Sequence, residues 1–509
     1  MFKRGALKQP SVRKGLLFTG LILLLSYFTY VHNYQSPANF FWDENYHIPS
    51  AQRYLAGTFF MEPHPPLGKL LIALGDKLLD ANNLNDQMIY TDYASKVPEE
   101  FSFRGYRFFP ALLSWLSAPL MFWIFMLIVK DWSNATILSF LYVFDNAIIV
   151  HGRGAMLDPP MIFLSIAMML LFLLMLRWKD RARLFYTCAL LYGISLGLIL
   201  ATKALGLIMI LVVPALLIPL FPRIKQIAIF LAVVSISCIV VYIGVWQIHF
   251  SLASTIEPDL PSEGYYKASD EYKQILAEGR NTSLASFPVM WLDSMKYLRH
   301  YSGGVPKLDL CKTNENGSPF FFWPFGARTI SYRWETKDNN THSYLYLVPN
   351  PVGWLVGLIG IVVGAALVLT SFLHPLKSRL KNRYLLTVFL GFYASYMIAI
   401  SQLGRVMYLY HYFLPLLFSF VLFGLVSVEI QTFGRWKISE YTRSMSFLVL
   451  GLLLFFSHQL YRPLTYNLPL TREQFQRREI LKIWGMRCPG CERSNYIATP
   501  RSCPAENEK

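Results

Sequence analysis

Eleven nearly uncharged stretches, each close to the roughly 17–25 residues that a helix needs to cross hydrocarbon, constrain this chain more than anything else in it. They fall at about 15–31, 108–129, 134–150, 159–176, 184–200, 205–221, 226–247, 352–373, 384–401, 406–428 and 444–461. A chain of 509 residues that is 54% hydrophobic and only 15% charged is too apolar for a soluble protein of its size. The expectation is an all-α polytopic membrane protein. The first stretch follows Lys3, Arg4, Lys8, Arg13 and Lys14, has a long apolar core and no A-x-A-like site after it, and reads as an uncleaved anchor.

Short inner loops retain Lys and Arg, so the basic residues orient the spans. With the N-terminus inside, the inner connections hold the N-terminal cluster, Lys130, Arg177 to Arg183, Arg223 and Lys225, Lys377 to Arg383, and Arg435 to Arg443. The short outer turns hold one cation each, Arg153, Lys203 and Arg405. An odd number of spans puts a first outer loop (32–105), a long outer loop (248–350) and a C-terminal tail (462–509) on one face, with residues 1–461 forming the membrane domain. The net charge of +16 is then mainly a topology signal, and nucleic-acid binding is not indicated.

The three outer cations run against the charge bias, and such residues usually have an anionic partner. Arg153 has Asp145 and Asp158 nearby in sequence for a structural ion pair, whereas Lys203 and Arg405 have no such neighbour. The first outer loop carries Asp43 and Glu44, then a Pro-Pro turn flanked by His64 and Lys69. Tyr46, Ile48, Ala51, Tyr54 and Leu55 recur at helical spacing and predict a short interfacial helix; a second is predicted over 67–79, started by Pro65 and Pro66. A carboxylate can take the proton of an attacking hydroxyl, and Arg, Lys or His can take up the charge of a phosphate leaving group. Adjacent residues point apart, so only one of Asp43 and Glu44 faces an acceptor directly.

WDENYHIPSAQRYLAGTFFMEPHPPLGK resembles the first outer loop of the protein O-mannosyltransferases, with its Asp-Glu pair, nearby His47, and HPPLGK turn. FRGYRFFPALLSW, FDNAIIVHGRGAMLDPPMIF, GISLGLILATKALGL, NPVGWLVG and GRVMYLYHYFLPLL are similar to later landmarks of that family, in family order from about 41 to 415. The resemblance implies a GT-C glycosyltransferase that moves mannose, with inversion, from a polyprenyl phosphate donor to Ser or Thr of a translocated polypeptide. It implies Asp43 as general base with Glu44 beside it, Arg107, Arg153, Lys203, Arg405 and His411 at the donor phosphate, and His47, His64, Lys69, Asp145 and Asp158 in support. No metal-ligand pattern accompanies these motifs, although a divalent ion stays open. The partners implied are the lipid-linked sugar, an acceptor polypeptide on the outer face, and membrane lipid.

The loop at 248–350 is too short for the β-trefoil domain of eukaryotic members, which points to a compact, bacterial-type member of a bacterial plasma membrane. Its aromatic residues, Trp291, Tyr297, Tyr301, PFFFWPFG at 319–326, Tyr332 and Trp334, suit either interfacial anchoring or the wall of an acceptor groove. The sequons at 281, 316 and 339 carry no meaning in such a host. Cys311, Cys488, Cys491 and Cys503 lie outside the spans and are read as structural disulfides; the CPGC at 488–491 lacks a second CxxC or a strand-helix context for a redox or zinc site. The Arg-rich tail over 471–501 departs from the family pattern.

Two other classes are considered. A transporter would show repeated halves and interrupted helices, and no such repeat is present. A GT-C transferase that moves aminoarabinose to lipid A is the closer rival; the His64-to-Lys69 stretch favours the protein mannosyltransferases.

Overall fold

A computed structural model describes residues 12–257, 263–312, 315–338, 340–373 and 380–488. Lys3, Arg4, Lys8, Lys377, Arg379, Asn339, Cys491 and Cys503 lie outside the described residues. In chain order the helices are α1 (Val12–Ser26, continued by a π-helix Tyr27–Val31), α2 (Glu44–Ala56), α3 (Leu67–Leu79), α4 (Phe108–Val129), α5 (Trp132–Val143), α6 (Asn146–Gly152), α7 (Asp158–Arg177) and α8 (Ala182–Leu200). A 3-10 stretch Ala204–Leu211 leads to α9 (Val212–Leu220), followed by α10 (Ile224–Leu252), α11 (Glu263–Lys267), α12 (Asp270–Ala277) and α13 (Phe287–Gly304). After a hairpin of β1 (Ile330–Thr336) and β2 (Thr341–Leu347) come α14 (Pro351–Leu373), α15 (Arg383–Ser401), α16 (Phe413–Glu429) and α17 (Glu440–Thr465).

Among the described residues nine helices are long and apolar enough to cross a membrane. The other two expected spans take different forms. Residues 134–150 become α5 and α6, bent by 62° at Phe144–Asp145. The break is stabilised locally, because Asp145 accepts from Ile148 N at 2.9 Å as the cap of α6 and from Trp354 Nε1 at 2.8 Å. Residues 205–221 become the shorter Ala204–Leu220 segment. The span ends meet in local groups: Arg223 pairs with Asp180 at 2.7 Å, and Glu429 at the end of α16 accepts from Lys381 N and Asn382 N before α15, while Asp158, Lys203 and His411 meet at the opposite ends.

The core centres on α16, which is buried almost continuously from Phe413 to Val426. Close packing needs small residues there: a Cβ at Gly360 of α14 would lie 2.6 Å from Ser419 O and Phe423 N of α16. On the outside, large apolar side chains such as Ile236, Ile239 and Val240 of α10 and Leu452 and Phe456 of α17 are exposed, a surface suited to lipid.

The face opposite the basic loops carries what the spans do not. The second predicted surface helix is α3, starting right after Pro66. The first is α2, but it does not merely lie on a surface. Ile48 and Ala51 are fully buried in a second core with Met88, Phe103 and Tyr106, because residues 80–107 fold back over α2. The long loop between α10 and α14 also adds a small sheet that helical periodicity could not show: β1 and β2 pair antiparallel, and Pro469–Thr471 adds a third antiparallel strand to β2. Of PFFFWPFG, Trp323 is buried with its N–H on Ser318 Oγ at 2.9 Å, whereas Phe321 and Phe325 remain exposed. Cys311 and Cys488 are both in disulfides, and Cys188 and Cys238 within α8 and α10 are free.

Candidate active site

The loop before α2 separates the two adjacent acids. Trp42 has φ 51°, a left-handed conformation that costs a non-glycine residue of order 1 kcal/mol, held by its indole stacking on Tyr332 at 5.1 Å and meeting Tyr408 edge-on at 5.3 Å. Glu44 turns inward and is fully buried. Its oxygens accept from Arg107 Nε at 2.7 Å, Arg107 Nη2 at 2.8 Å, Ala155 N at 2.9 Å and Phe41 N at 3.2 Å. His47, three residues on and on the same face of α2, places Nδ1 2.8 Å from Ala155 O, so Glu44 and His47 grip both polar atoms of one peptide residue after α6. Burial, with Lys69 nearby, drives the His47 imidazole down to about 3, so it is neutral and donates from Nδ1. The fit leaves no room at Gly154, where a Cβ would lie 2.7 Å from the Phe41 ring.

Asp43 turns the other way. Its carboxylate makes no hydrogen bond or ion pair with any described residue and lines a cavity of about 780 Å³. Burial raises its carboxyl to about 6, opposed chiefly by Lys203 and then by His151 and Lys69, while Asp158 pushes the same way as burial. Behind it runs a buried chain of polar groups. Lys203 Nζ donates to both oxygens of Asp158 at 2.8 and 2.9 Å, and lies over the Tyr410 ring at 5.3 Å. Asp158 also accepts from His151 Nε2 at 2.9 Å, which leaves His151 Nδ1 to accept the Tyr332 hydroxyl at 2.5 Å. The acid partner that Lys203 lacked in its own turn is supplied by the first residue of α7.

The HPPLGK turn makes a second cluster beside the first. Lys69 Nζ donates to Glu62 Oε1 at 2.6 Å and to Ser50 Oγ at 3.1 Å, all of it buried. His64 lies 3.9 Å from Glu62 Oε1, its ring 6.1 Å from Tyr301 and 6.4 Å from His47. Burial, then Lys69, lowers the His64 imidazole well below its usual range.

Two of the five expected phosphate ligands are engaged elsewhere. All five N–H groups of Arg107 are taken, by Glu44 and by the carbonyls of Gln35, Pro37 and Asn39, and its guanidinium is sandwiched between Phe41 at 4.7 Å and Phe103 at 4.2 Å. Arg153 pairs with neither Asp145 nor Asp158. It donates to Thr29 O and Asn33 O and stacks on Tyr466 at 4.8 Å, because the π-helical end of α1 offers it carbonyls that the helix leaves open. Asp145 is likewise a helix cap and no part of the cluster. Lys203 and His411 do sit together, near Asp158, with the His411 ring stacked 4.4 Å from Tyr410 and its Nδ1 held by Tyr408 N at 3.1 Å. Arg405 is half-buried, makes no hydrogen bond or ion pair with any described residue, and its charge acts on His64, Tyr301, Tyr408 and His411.

His151, Glu62, Trp42 and Tyr410 belong to this site and were not singled out by sequence reasoning. His151 sits in HGRGAMLD, where Arg153 drew the eye, and Glu62 is a lone acid before HPP whose partner at Lys69 only the turn brings near. Of the aromatic residues, Tyr332 and Trp334 line the cavity, whereas Trp291 donates to Tyr242 OH away from it. Among the described residues no three His, Cys, Asp or Glu side chains come together as a metal group would need.

A bundle of long apolar helices, with a carboxylate exposed in a cavity at one face and cations beside it, has the architecture of the GT-C membrane glycosyltransferases. The fold likeness is direct: the Saccharomyces cerevisiae protein O-mannosyltransferase Pmt1-Pmt2 complex, solved bound to the sugar donor, superposes with a TM-score of 0.79 at 16% identity over 96% of this chain and 94% of that one. The chain belongs to the protein O-mannosyltransferase family. Residues 20–254 match the dolichyl-phosphate-mannose-protein mannosyltransferase family, and residues 287–484 match the C-terminal four-span region of protein O-mannosyltransferases. The second match reaches 484, so the tail joins the family pattern well past 471, where the sequence was read as departing from it. Dolichyl-phosphate-mannose–protein mannosyltransferase 4 of Schizosaccharomyces pombe is 31% identical over 204 residues, 39% of this chain and 26% of that protein. Mannosyltransferase 1 of Candida albicans is 28% identical over 192 residues, 36% of this chain and 21% of that protein. The chain thus spans about a quarter of the length of these curated relatives.

Proposed function

We propose that this protein transfers a mannosyl group from a polyprenyl phosphate to Ser or Thr hydroxyls of polypeptides on the outer face of a bacterial plasma membrane. The observation that carries the reading is Asp43, a carboxylate open to a cavity on one side and backed by Lys203 on the other. In the proposed reaction Asp43 takes the proton of the hydroxyl as its oxygen bonds to the anomeric carbon. The bond from that carbon to the phosphate oxygen breaks from the opposite side, and the configuration inverts. The phosphate leaves with the electron pair, and Lys203, Arg405 and His411 are the groups placed to stabilise its added charge. Glu44 and Arg107 act as positioning residues that fix the direction of Asp43. Tyr332 and Trp334 form an acceptor wall.

Two observations support the outer placement of this face. The basic residues collect at the opposite ends of the spans. Cys488, in a disulfide, lines the same cavity as Asp43, as an oxidising compartment allows. The test is transfer by the purified protein from polyprenyl phosphate mannose to a Thr-containing peptide, read by mass spectrometry, together with comparison of secreted proteins from parent and deletion strains. Sugar appearing on lipid and not on peptide would replace this reading with the lipid-modifying one.

A further inference from the structure

Strand β1 pairs with β2 and with no other described strand, the sheet running β1-β2-β5, so its far edge is open. In an antiparallel ladder every second residue turns its N–H and C=O away from the neighbouring strand. Among the described residues nothing bonds the outward main-chain groups of Ile330–Thr336. Main-chain groups without a partner are rarely shut away from water, and these have a cavity beside them. The cavity that holds Asp43 is lined by Ser331, Tyr332, Arg333 and Trp334 in unbroken succession. Side chains alternate between the faces of a strand, so a cavity that meets successive residues follows the backbone and is not confined to one face.

The loop of Asp43 flanks this edge. The Tyr332 ring stacks on Trp42 at 5.1 Å and on Phe41 at 5.9 Å, and Arg333 Nη1 donates to Phe40 O at 3.2 Å. A chain laid along 331–334 therefore passes the acid that precedes α2. Tyr332 has no opposite residue in β2, and Arg333 pairs with Glu335 at 2.6 Å. A bulge and a charged pair blunt an open edge against another sheet, yet they leave its outward N–H and C=O groups in place.

We infer that an acceptor polypeptide binds in extended form as an added strand on the open edge of β1, held by main-chain hydrogen bonds, with its Ser or Thr presented to Asp43. The inference rests on the reading of the cavity as the acceptor site. Binding of this kind needs backbone N–H groups at alternate positions of the acceptor and depends weakly on its side chains.

The test leaves the protein unchanged and alters the acceptor. Labelled peptides with a single Thr carry one backbone ester in place of an amide, moved one residue at a time along the chain. Each is assayed for transfer and, separately, for binding by fluorescence anisotropy. Esters at alternate positions should raise KM and Kd by about three- to ten-fold, as the loss of one hydrogen bond does, and those between should change little. A photoreactive group beside the Thr should cross-link to residues 331–334. Equal loss at every position, no loss at any, or cross-links confined to other segments would overturn the inference while transfer continued. If peptides bound with the alternation and received no sugar, the reading of function would fail and the added strand would stand. Peptides that neither bound nor received sugar would overturn both.

Discussion

The Arg107 guanidinium holds both carboxylate oxygens of Glu44, Nε on Oε1 at 2.7 Å and Nη2 on Oε2 at 2.8 Å, with no part of either residue exposed. Its remaining N–H groups go to the carbonyls of Gln35, Pro37 and Asn39, so one side chain closes the loop before α2 onto the start of α4. Asp43, one residue away, is left with its carboxylate in the cavity. The contrast between these neighbours separates a group that builds the site from the one proposed to act in it.

Breaking the pair should therefore damage the fold. Removing one member of a buried ion pair costs roughly 3–5 kcal/mol, since the partner stays buried and uncompensated. Glu44→Gln and Arg107→Ala should each lower the unfolding midpoint in detergent sharply, and the double variant should lose less than the two effects added together. Additive losses would mean that the two side chains act independently.

Asp43→Asn should do the opposite to stability while removing activity. Loss of a general base lowers the rate by about 10²- to 10⁴-fold. The carboxyl is raised from 3.8 to about 6 in the fold, so its ionisation there is disfavoured and stability declines as pH rises through that interval. The neutral amide escapes that penalty. At pH 8 the variant should unfold at a temperature no lower than the parent; a clear drop would make Asp43 a structural residue.

The same shift fixes a pH profile. Asp43 accepts a proton only when ionised, so kcat/KM should fall with decreasing pH around a midpoint of about 6 and level off above it. Lys203 is the largest factor holding that midpoint down, ahead of His151. Lys203→Gln should move the acidic limb upward as well as slow turnover. A profile that stays in place in this variant would separate Lys203 from the base.

Arg405 offers a different test, because no described residue pairs with it and its guanidinium is available to a ligand. Arg405→Ala should depress turnover or raise the donor KM. Arg405→Lys should restore only part of the loss, since an ammonium cannot reproduce a two-point grip on phosphate oxygens. Variants with normal donor kinetics and weakened peptide binding would assign Arg405 to the acceptor.

Topology can be checked without activity. A cysteine placed within 178–182 should be protected from an impermeant thiol reagent in intact cells, and one near 340 should be labelled. The reverse would put Asp43 on the inner face.

Nine of the eleven expected spans were legible in the sequence because hydrophobic length acts locally along the chain, whereas the bend at Phe144–Asp145 and the short Ala204–Leu220 segment depend on packing. The sequence also placed Asp43 directly before Glu44, the first residue of α2, and put His47 where it could share a face with Glu44. Tertiary structure decided which acid was consumed: Arg107 lies 63 positions from Glu44 and Ala155 lies 111 away, distances that no periodicity encodes. It likewise gave Lys203 its acid 45 positions away in Asp158, turned Arg153 toward the open carbonyls of α1, and brought Arg487 to the cavity of Asp43. A buried charge must find its partner wherever packing brings one, and packing is settled by the whole fold.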